Sequence, residues 1–183
     1  MFEHITRSIN NYATLAEQEV ELFLSYLRVR EIPRGKKLLN KGEVCQEVSF
    51  INHGSFVQSY ADEELNQNVI NLFVTHDWVL NHTSFTSQKP SMHTIEAFED
   101  SEILTINIHQ VHELIGKHPA FFALGKILEV VAPYSDMKKS PDVRYQMLLK
   151  EKPMILKTFP LKYIASYLGI TPETLSRVRN RLP

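Results

Sequence analysis

Residues 161–182 read LKYIASYLGITPETLSRVRNRL, and this stretch predicts two helices joined by a sharp turn. Gly169 can adopt the positive φ that commonly ends a helix, and Ala165 is small where a second helix would cross the first. Thr171 offers a hydroxyl as N-cap, and Pro172 then occupies the first helical position, where a missing N–H costs nothing. A second helix is therefore expected from Pro172 onward, with its polar side chains facing outward.

The outward face of this second helix carries residue types that read and hold DNA. Arg177 can donate two hydrogen bonds to a guanine, and Glu173 can accept one from the amino group of a cytosine. Lys162 and Arg179 can contact phosphate oxygens. The candidate DNA-binding residues are Lys162, Thr171, Glu173, Thr174, Ser176, Arg177, Arg179, Asn180 and Arg181. An ordinary helical hairpin with a solvated charged face is the alternative, but spacing, turn, cap and exposed face together favour DNA binding.

The charge of the chain is unevenly distributed around its formal net value of −1. Residues 1–137 hold 10 Lys and Arg against 18 Asp and Glu, whereas residues 138–183 hold 10 against 3. An acidic body with a basic C-terminal part predicts that only this part meets a polyanion. A basic part that is merely solvated is the alternative.

The composition is that of a globular protein. With 183 residues, 43% of them hydrophobic, the chain suits one medium domain plus a small one. No apolar run reaches membrane-spanning length, and residues 1–15 do not read as a secretory signal, so we expect a cytoplasmic protein with no membrane partner. Cys45 is the only cysteine, which excludes an internal disulfide and makes a small core residue the expected role.

The N-terminal two thirds predict a helix followed by many short strands. Residues 11–29 open with a capping signal, Thr14 followed by Glu17, and continue with apolar residues at helical spacing. From residue 29 to 108, short apolar runs alternate with turn residues, which predicts a sandwich or jelly roll. The predicted strand segments are KKLLNKGE, EVSFINHGSFVQSYA, NQNVINLFV, MHTIEAFED and EILTINI, and a turn is predicted at His53–Gly54 within the second of them. Residues 107–118 predict a short helix that follows the last strand.

Prolines divide the remainder of the chain. Pro119 opens a segment with a broad apolar stripe, and Pro133 should end or kink that helix. The run Ser140-Pro141-Asp142 is typical of a helix start, and Lys152-Pro153 breaks the chain again before the hairpin. The predicted domains are residues 1–118, a β-roll with an N-terminal helix, residues 119–139, a linking helix and hinge, and residues 140–183, the helix-turn-helix domain.

This order of parts resembles the Crp/Fnr family of bacterial transcription regulators. The resemblance covers nearly the whole chain and is carried by PRGKKLLNKGE, FINHGSFVQSY, EAFEDSEILTI and the closing stretch 161–182. It implies an α+β fold made of a cyclic-nucleotide-binding-like jelly roll (a double-stranded β-helix), a linking helix that dimerises, and a C-terminal helix-turn-helix. The implied partners are double-stranded DNA, a second copy of the chain and RNA polymerase, with no cofactor and an unknown effector.

The resemblance also exposes differences in the recognition helix and the dimer. In the best-studied branch of the family the recognition helix begins Arg-Glu-x-x-x-Arg; Glu173 and Arg177 match, but Pro172 stands at the first position. We therefore expect a different target site. The linking segment between KILE and DVRY is also shorter than is usual in the family, so a continuous coiled-coil seam is not expected. A homodimer is still predicted, because one recognition helix buries little surface on DNA.

The sensor pocket departs further from the family pattern. Family members that bind cyclic AMP carry Gly-Glu-Leu after a Gly-Asp-Phe-like turn and, further along the chain, Arg-Ser or Arg-Ala. In these members the N–H groups of the loop and the Arg neutralise the phosphate, and the Glu binds the ribose. His76-Asp77-Trp78 align with that turn, Leu80 and Asn81 with Gly and Glu, and Ser91 with Arg. No Arg occurs between residues 34 and 144. We therefore predict that cyclic AMP is not bound in the family mode.

Large apolar side chains near this cassette replace the charged groups. Trp78, Phe85 and Met92 could close the pocket as core or line an apolar ligand site, and core filling is the favoured interpretation. The ligand-pocket candidates are Trp78, Leu80, Asn81, Phe85, Ser91 and Met92.

Other classes of protein have less support. The chain lacks a Gly-rich phosphate loop, GxSxG and HExxH, so we predict no enzyme and no catalytic residues. The strongest rival class is a cupin-like protein, in which His76, His82 and His93 could converge on a metal. The HxH pair typical of such sites is absent, and scattered histidines are the favoured interpretation. We therefore predict no metal ligands. A further alternative is a small-ligand-binding protein, or a regulator whose hairpin packs rather than binds DNA and which acts by binding another protein.

Overall fold

Two antiparallel four-stranded sheets form a β-roll in the computed structural model, which describes residues 2–12, 14–64, 66–131 and 139–181. The strands are β1 Arg28–Ile32, β2 Lys37–Leu39, β3 Glu47–His53, β4 Phe56–Ala61, β5 Gln67–Phe73, β6 Trp78–Val79, β7 Thr94–Ala97 and β8 Ser101–Asn107. Their order is β1-β8-β3-β6 in the first sheet and β2-β7-β4-β5 in the second. This architecture, with helices at its ends, confirms the predicted α+β jelly-roll fold.

Helices precede, interrupt and follow the roll. They are α1 Glu3–Asn10, α2 Glu17–Tyr26, α3 His82–Ser87, α4 Ile108–Lys117, a 3₁₀ helix Pro119–Leu124, α5 Gly125–Val131, α6 Pro141–Glu151, α7 Pro153–Thr158, α8 Leu161–Tyr167 and α9 Pro172–Arg181. The first three quarters of the chain share one apolar core, in which Phe23, Phe50, Phe56 and Phe73 are almost fully buried.

The turn between β3 and β4 requires glycine. Gly54 has φ +105°, and a Cβ at this position would lie 2.1 Å from Ser101 Oγ. No other residue type fits this close approach of two chain segments. The turn that the sequence placed at His53–Gly54 is thereby confirmed.

A bulge in β5 determines which side chains of the second sheet face inward. Val57 pairs with Leu72 and Gln58 with Asn71, but Ser59 pairs with Val69, so one residue of β5 is left over between the last two pairs. Because alternate residues point to opposite faces, the bulge places Val57, Leu72 and Val69 on the outer face and Gln58 and Asn71 on the inner face.

The C-terminal helices cover that outer face. Val57, Val69, Leu72 and Val74 share a second buried cluster with side chains from α6 to α9. The members on the helices are Tyr145, Leu148, Ile155, Phe159, Ile164, Ala165, Tyr167, Leu168, Leu175 and Val178. The helical domain therefore lies directly against the β-roll.

Several element boundaries differ from the predicted ones. Helix α1 and strand β1 were not expected, and the helix predicted over residues 11–29 is limited to α2. The capping signal was also wrong, since Ala16 is the N-cap of α2 and the Glu19 carboxylate accepts from its N–H at 2.7 Å. The segment after Pro119 opens as a 3₁₀ helix rather than an α-helix. The break predicted at Pro133 lies outside the described residues.

Candidate functional site

The turn between α8 and α9 is a Schellman motif. Gly169 has φ +62°, its N–H donates to Ser166 O at 2.9 Å, and the Ile170 N–H donates to Ala165 O at 3.0 Å. These two bonds satisfy carbonyls that the end of a helix otherwise leaves unpaired. Gly169 thus serves as the sequence predicted, in the turn that ends α8.

Helix α9 begins at the predicted cap. The Thr174 N–H donates to Thr171 Oγ1 at 3.2 Å, and Pro172 occupies the first helical position. Glu173 in this first turn is fully exposed, and hydrogen bonds from its own N–H and from Thr171, with the Arg177 charge nearby, lower the pKa of its carboxyl. Glu173 is therefore ionised at neutral pH and is able to accept a hydrogen bond from a ligand.

One face of α9 is buried and fixes the orientation of the other. Leu175 and Val178 are fully buried, and they pack in the same cluster as Ile164 and Ala165 of α8. Arg144 of α6 is 8% exposed, and its guanidinium donates to Leu168 O at the C-terminal end of α8. A cation at this position complements the negative end of the helix. The hairpin is thus held as a rigid unit.

The structure places the predicted DNA-binding residues on the free side of this unit. All are exposed except Thr174, which is half-buried; the exposed ones are Lys162, Thr171, Glu173, Ser176, Arg177, Arg179, Asn180 and Arg181. Arg181 is also engaged within the protein, since its Nη2 lies 3.2 Å from Asp142 Oδ1 and its Nε donates to Arg177 O at 3.4 Å. The Asp142 carboxylate is a competitor that a phosphate would have to displace.

The cassette that aligns with the family's phosphate site is closed by neutral side chains. The Asn81 carboxamide accepts from the Ser84 N–H at 2.9 Å as N-cap of α3 and donates to Ser91 Oγ at 3.0 Å. Ser91 Oγ in turn donates to the carbonyl of His93 at 2.7 Å. Asn81 and Ser91 are 3% and 2% exposed. Neither side chain is available to a charged ligand without loss of these bonds.

The inner face of the second sheet continues this neutral character. Gln58 Nε2 lies 3.2 Å from His93 Nδ1, and the rings of Tyr60 and His93 are 5.8 Å apart. Burial lowers the pKa of His93, which keeps its imidazole neutral near pH 7. The interior of the roll therefore offers amides, hydroxyls and a neutral ring in this region.

The remaining pocket candidates separate into three environments. Trp78 and Phe85 are buried beside an apolar cavity between the first sheet and helices α2, α4 and α5. Leu80 borders a smaller cavity of about 200 Å³ that also touches Leu39 and Ile95. Met92 is 67% exposed and lines neither cavity.

The histidines weighed as metal ligands have separate surroundings. The rings of His76 and His4 stack with centroids 3.9 Å apart, whereas His93 contacts Gln58. Within the described ranges, no group of three or more His, Cys, Asp and Glu side chains is placed to hold a metal ion. Cys45 is 5% exposed, as expected for a small core residue, and burial raises the pKa of its thiol.

Polar contacts that were not predicted join the C-terminal helices to the roll. The N–H of Val69 on the edge strand β5 donates to Ser166 Oγ of α8 at 2.8 Å. Lys152 Nζ lies 3.2 Å from Asp77 Oδ2, in the turn that precedes β6. An edge strand exposes unpaired backbone groups, and α8 covers this one. The sequence holds no local signal for these contacts, because the partners lie far apart along the chain.

The family model described as the cyclic nucleotide-binding domain matches residues 29–118, which span β1 to α4. The match covers just under half of the chain. No curated protein matches the chain significantly in sequence. In the described part of the chain, no helix has the length and apolar character needed to cross a membrane.

Solved structures extend the likeness to the C-terminal helices. The catabolite activator protein of Thermus thermophilus is similar with a TM-score of 0.56 at 22% identity, over 92% of this chain and 84% of that one. FixK2 of Bradyrhizobium japonicum is similar with a TM-score of 0.65 at 15% identity, over 85% of this chain and 84% of that one. A CooA mutant of Carboxydothermus hydrogenoformans is similar with a TM-score of 0.59 at 18% identity, over 87% of this chain and 77% of that one. The chain thus has the fold of Crp/Fnr regulators, and the resemblance seen in the sequence is confirmed.

Proposed function

We propose that this protein is a DNA-binding transcription regulator of the Crp/Fnr type, not an enzyme, in which α9 enters the major groove. The observation that carries this proposal is the division of α9 into two faces. Leu175 and Val178 anchor it, while Glu173, Arg177 and Asn180 are exposed on a helix whose position is fixed. A recognition helix needs both properties, because its N-terminal side chains must reach base edges from a defined position.

The distribution of charge supports the same surface. The C-terminal part carries the excess of Lys and Arg, and Arg179 and Lys162 are exposed beside the base-reading positions. Helix α8 packs against strand β5 of the acidic β-roll, whereas these side chains of α9 are exposed. In this proposal Arg177 and Glu173 read bases, and Lys162, Arg179 and Arg181 hold phosphates.

Selection of duplexes by the purified full chain tests the proposal. Random-sequence duplex DNA is incubated with the protein at low and moderate salt, and the retained duplexes are sequenced and titrated. We expect enrichment of a defined motif and an affinity that falls steeply as salt rises, because phosphate contacts release counterions. Retention of no duplex at low salt, or retention without any enriched motif, would contradict it.

We further propose that the sensor domain does not bind cyclic AMP in the family mode. Recognition of a cyclic phosphate needs charge-assisted hydrogen bonds, and Asn81 and Ser91 are instead bonded to each other. Lys89 is exposed beside the cassette and would supply a charge only after the loop rearranged. Calorimetry should give no heat of binding at sub-millimolar cyclic AMP; a saturable isotherm in that range would refute the proposal.

Residues 1–118, 119–139 and 140–183 are proposed to act as sensor, linker and DNA-binding domain of a cytoplasmic homodimer. Two copies of α9 would meet half-sites about 34 Å apart. Because the linking segment is short for the family, the dimer contact is expected to include more than a long helical seam. Sedimentation at tens of micromolar protein should give a dimer mass, and a monomer alone would remove this part of the proposal.

A further inference from the structure

An apolar cavity of about 340 Å³ lies between the first sheet and the helices around it. Its floor is formed by the buried side chains of Phe23, Val48, Trp78, Phe85 and Ile106. The cavity opens to solvent past the exposed side chains of Thr86, His112 and Phe122. Its volume lies at the lower end of the range for small-molecule sites.

The cavity is distinct from the interior of the β-roll. Val48 pairs with Ile106, and both side chains line the cavity. The next pair, Ser49 and Thr105, points to the opposite face, where Ser49 Oγ donates to Thr105 Oγ1 at 2.9 Å. The cavity therefore lies outside the roll, on the other face of the sheet from Ser49, which borders the smaller interior pocket.

The chemistry of the walls defines the class of ligand. Apart from the Trp78 N–H, which donates to Ser8 Oγ at 2.9 Å, the polar groups among the described lining side chains are those of Thr86 and His112, and both of these residues are exposed. Water finds few partners on such walls, whereas an apolar molecule gains free energy by leaving water. A compound with an apolar chain and one polar end would place the chain over the floor and the polar end at His112.

We propose that this cavity binds a medium-chain aliphatic compound with a single polar end group. The site is placed to affect the rest of the protein, because Phe85 belongs to the cassette helix α3, and Leu124 and Ile127 belong to the segment that leads toward the C-terminal helices. The binding itself does not depend on the proposed DNA binding, and it is measured without DNA.

Trp78 supplies the readout. It is the only tryptophan of the chain and lies on the floor of the cavity, so an occupant should change its fluorescence. The probes are the 1-alkanols from butanol to decanol, added to the full chain below their aggregation limit. We expect saturable changes, with a dissociation constant that falls about fourfold per added methylene until the cavity is full.

Variants with altered cavity walls test whether the change in Trp78 fluorescence comes from binding in the cavity. Val111→Phe places a larger side chain on the half-buried wall of α4, and Thr86→Phe does so at the exposed rim, where the fold should tolerate it. Each should weaken binding at least tenfold, whereas Val143→Phe, at an exposed position of α6 outside the cavity, should leave it unchanged. No saturable change with any alkanol, no gain with chain length, or wild-type affinity in a folded Thr86→Phe protein would overturn the proposal.

Discussion

Lys152 and Asp77 form an ion pair, with Nζ 3.2 Å from Oδ2, and it connects the helical domain to the turn that leads into Trp78. Asp77 Oδ2 also accepts a hydrogen bond from the Val74 N–H at 3.1 Å, so the same carboxylate stabilises the turn between β5 and β6. The contact thus lies between the cassette region and the C-terminal helices.

Removal of Lys152 and removal of Asp77 should lower the free energy of unfolding by different amounts. Lys152→Met removes a partly exposed ion pair and should lower the free energy of unfolding by about 0.5 kcal/mol. Asp77→Ala also leaves the Val74 N–H without its partner, which adds about 1 kcal/mol. Urea denaturation measures both, and equal losses in the two variants would show that the carboxylate does not support the turn.

The Schellman turn predicts opposite effects of one substitution at two glycines. Gly169→Ala should destabilise by about 1 kcal/mol, because alanine disfavours φ +62°. Gly116→Ala is the control: this residue lies in helix α4 with open space around its Cα, so alanine should stabilise by up to about 1 kcal/mol. Thermal unfolding of both proteins checks the pair, and a neutral Gly169→Ala would argue against the tight turn.

The stacked histidines predict a loss of stability in mild acid. Burial, with the neighbouring charges of His4 and Arg7, lowers the pKa of His76 below its ordinary 6.5, against the opposing effect of Asp77. The folded state therefore binds fewer protons than the unfolded state, so stability is fully present above about pH 6.5 and declines as the pH falls below it.

His76→Asn isolates this effect. His76 has φ +73°, and asparagine tolerates that conformation while removing the titration. Urea midpoints between pH 7.5 and 5 should depend less on pH in the variant than in the wild type. An unchanged pH dependence would assign the acid sensitivity to other groups.

Local sequence signals were sufficient for the hairpin. Gly169, Thr171 and Pro172 act through bonds within a few residues of themselves, and each was found where it was predicted. The glycine turn at Gly54 was predicted for the same reason. By contrast, β1 was missed because its five residues follow an amphipathic helix without a break in the apolar pattern.

Long-range arrangements were outside the reach of the sequence. Ser166 and Val69 are 97 residues apart, so the docking of α8 on β5 had no local signature. Trp78 and Phe85 were recognised as large apolar side chains near the cassette, but the cavity beside them also needs side chains of α2, α4 and α5. Met92 follows the same apolar pattern and is nevertheless exposed.

Affinity of the Arg177→Ala protein for selected and random duplexes tests the central claim most directly, with Arg28→Ala, an exposed arginine of the β-roll, as the matched control. If Arg177 reads a base, its loss should weaken binding to the selected site by about 1–3 kcal/mol and change binding to random DNA far less. Arg28→Ala should change neither. Equal losses on both duplexes from Arg177→Ala would contradict the base-reading role of α9.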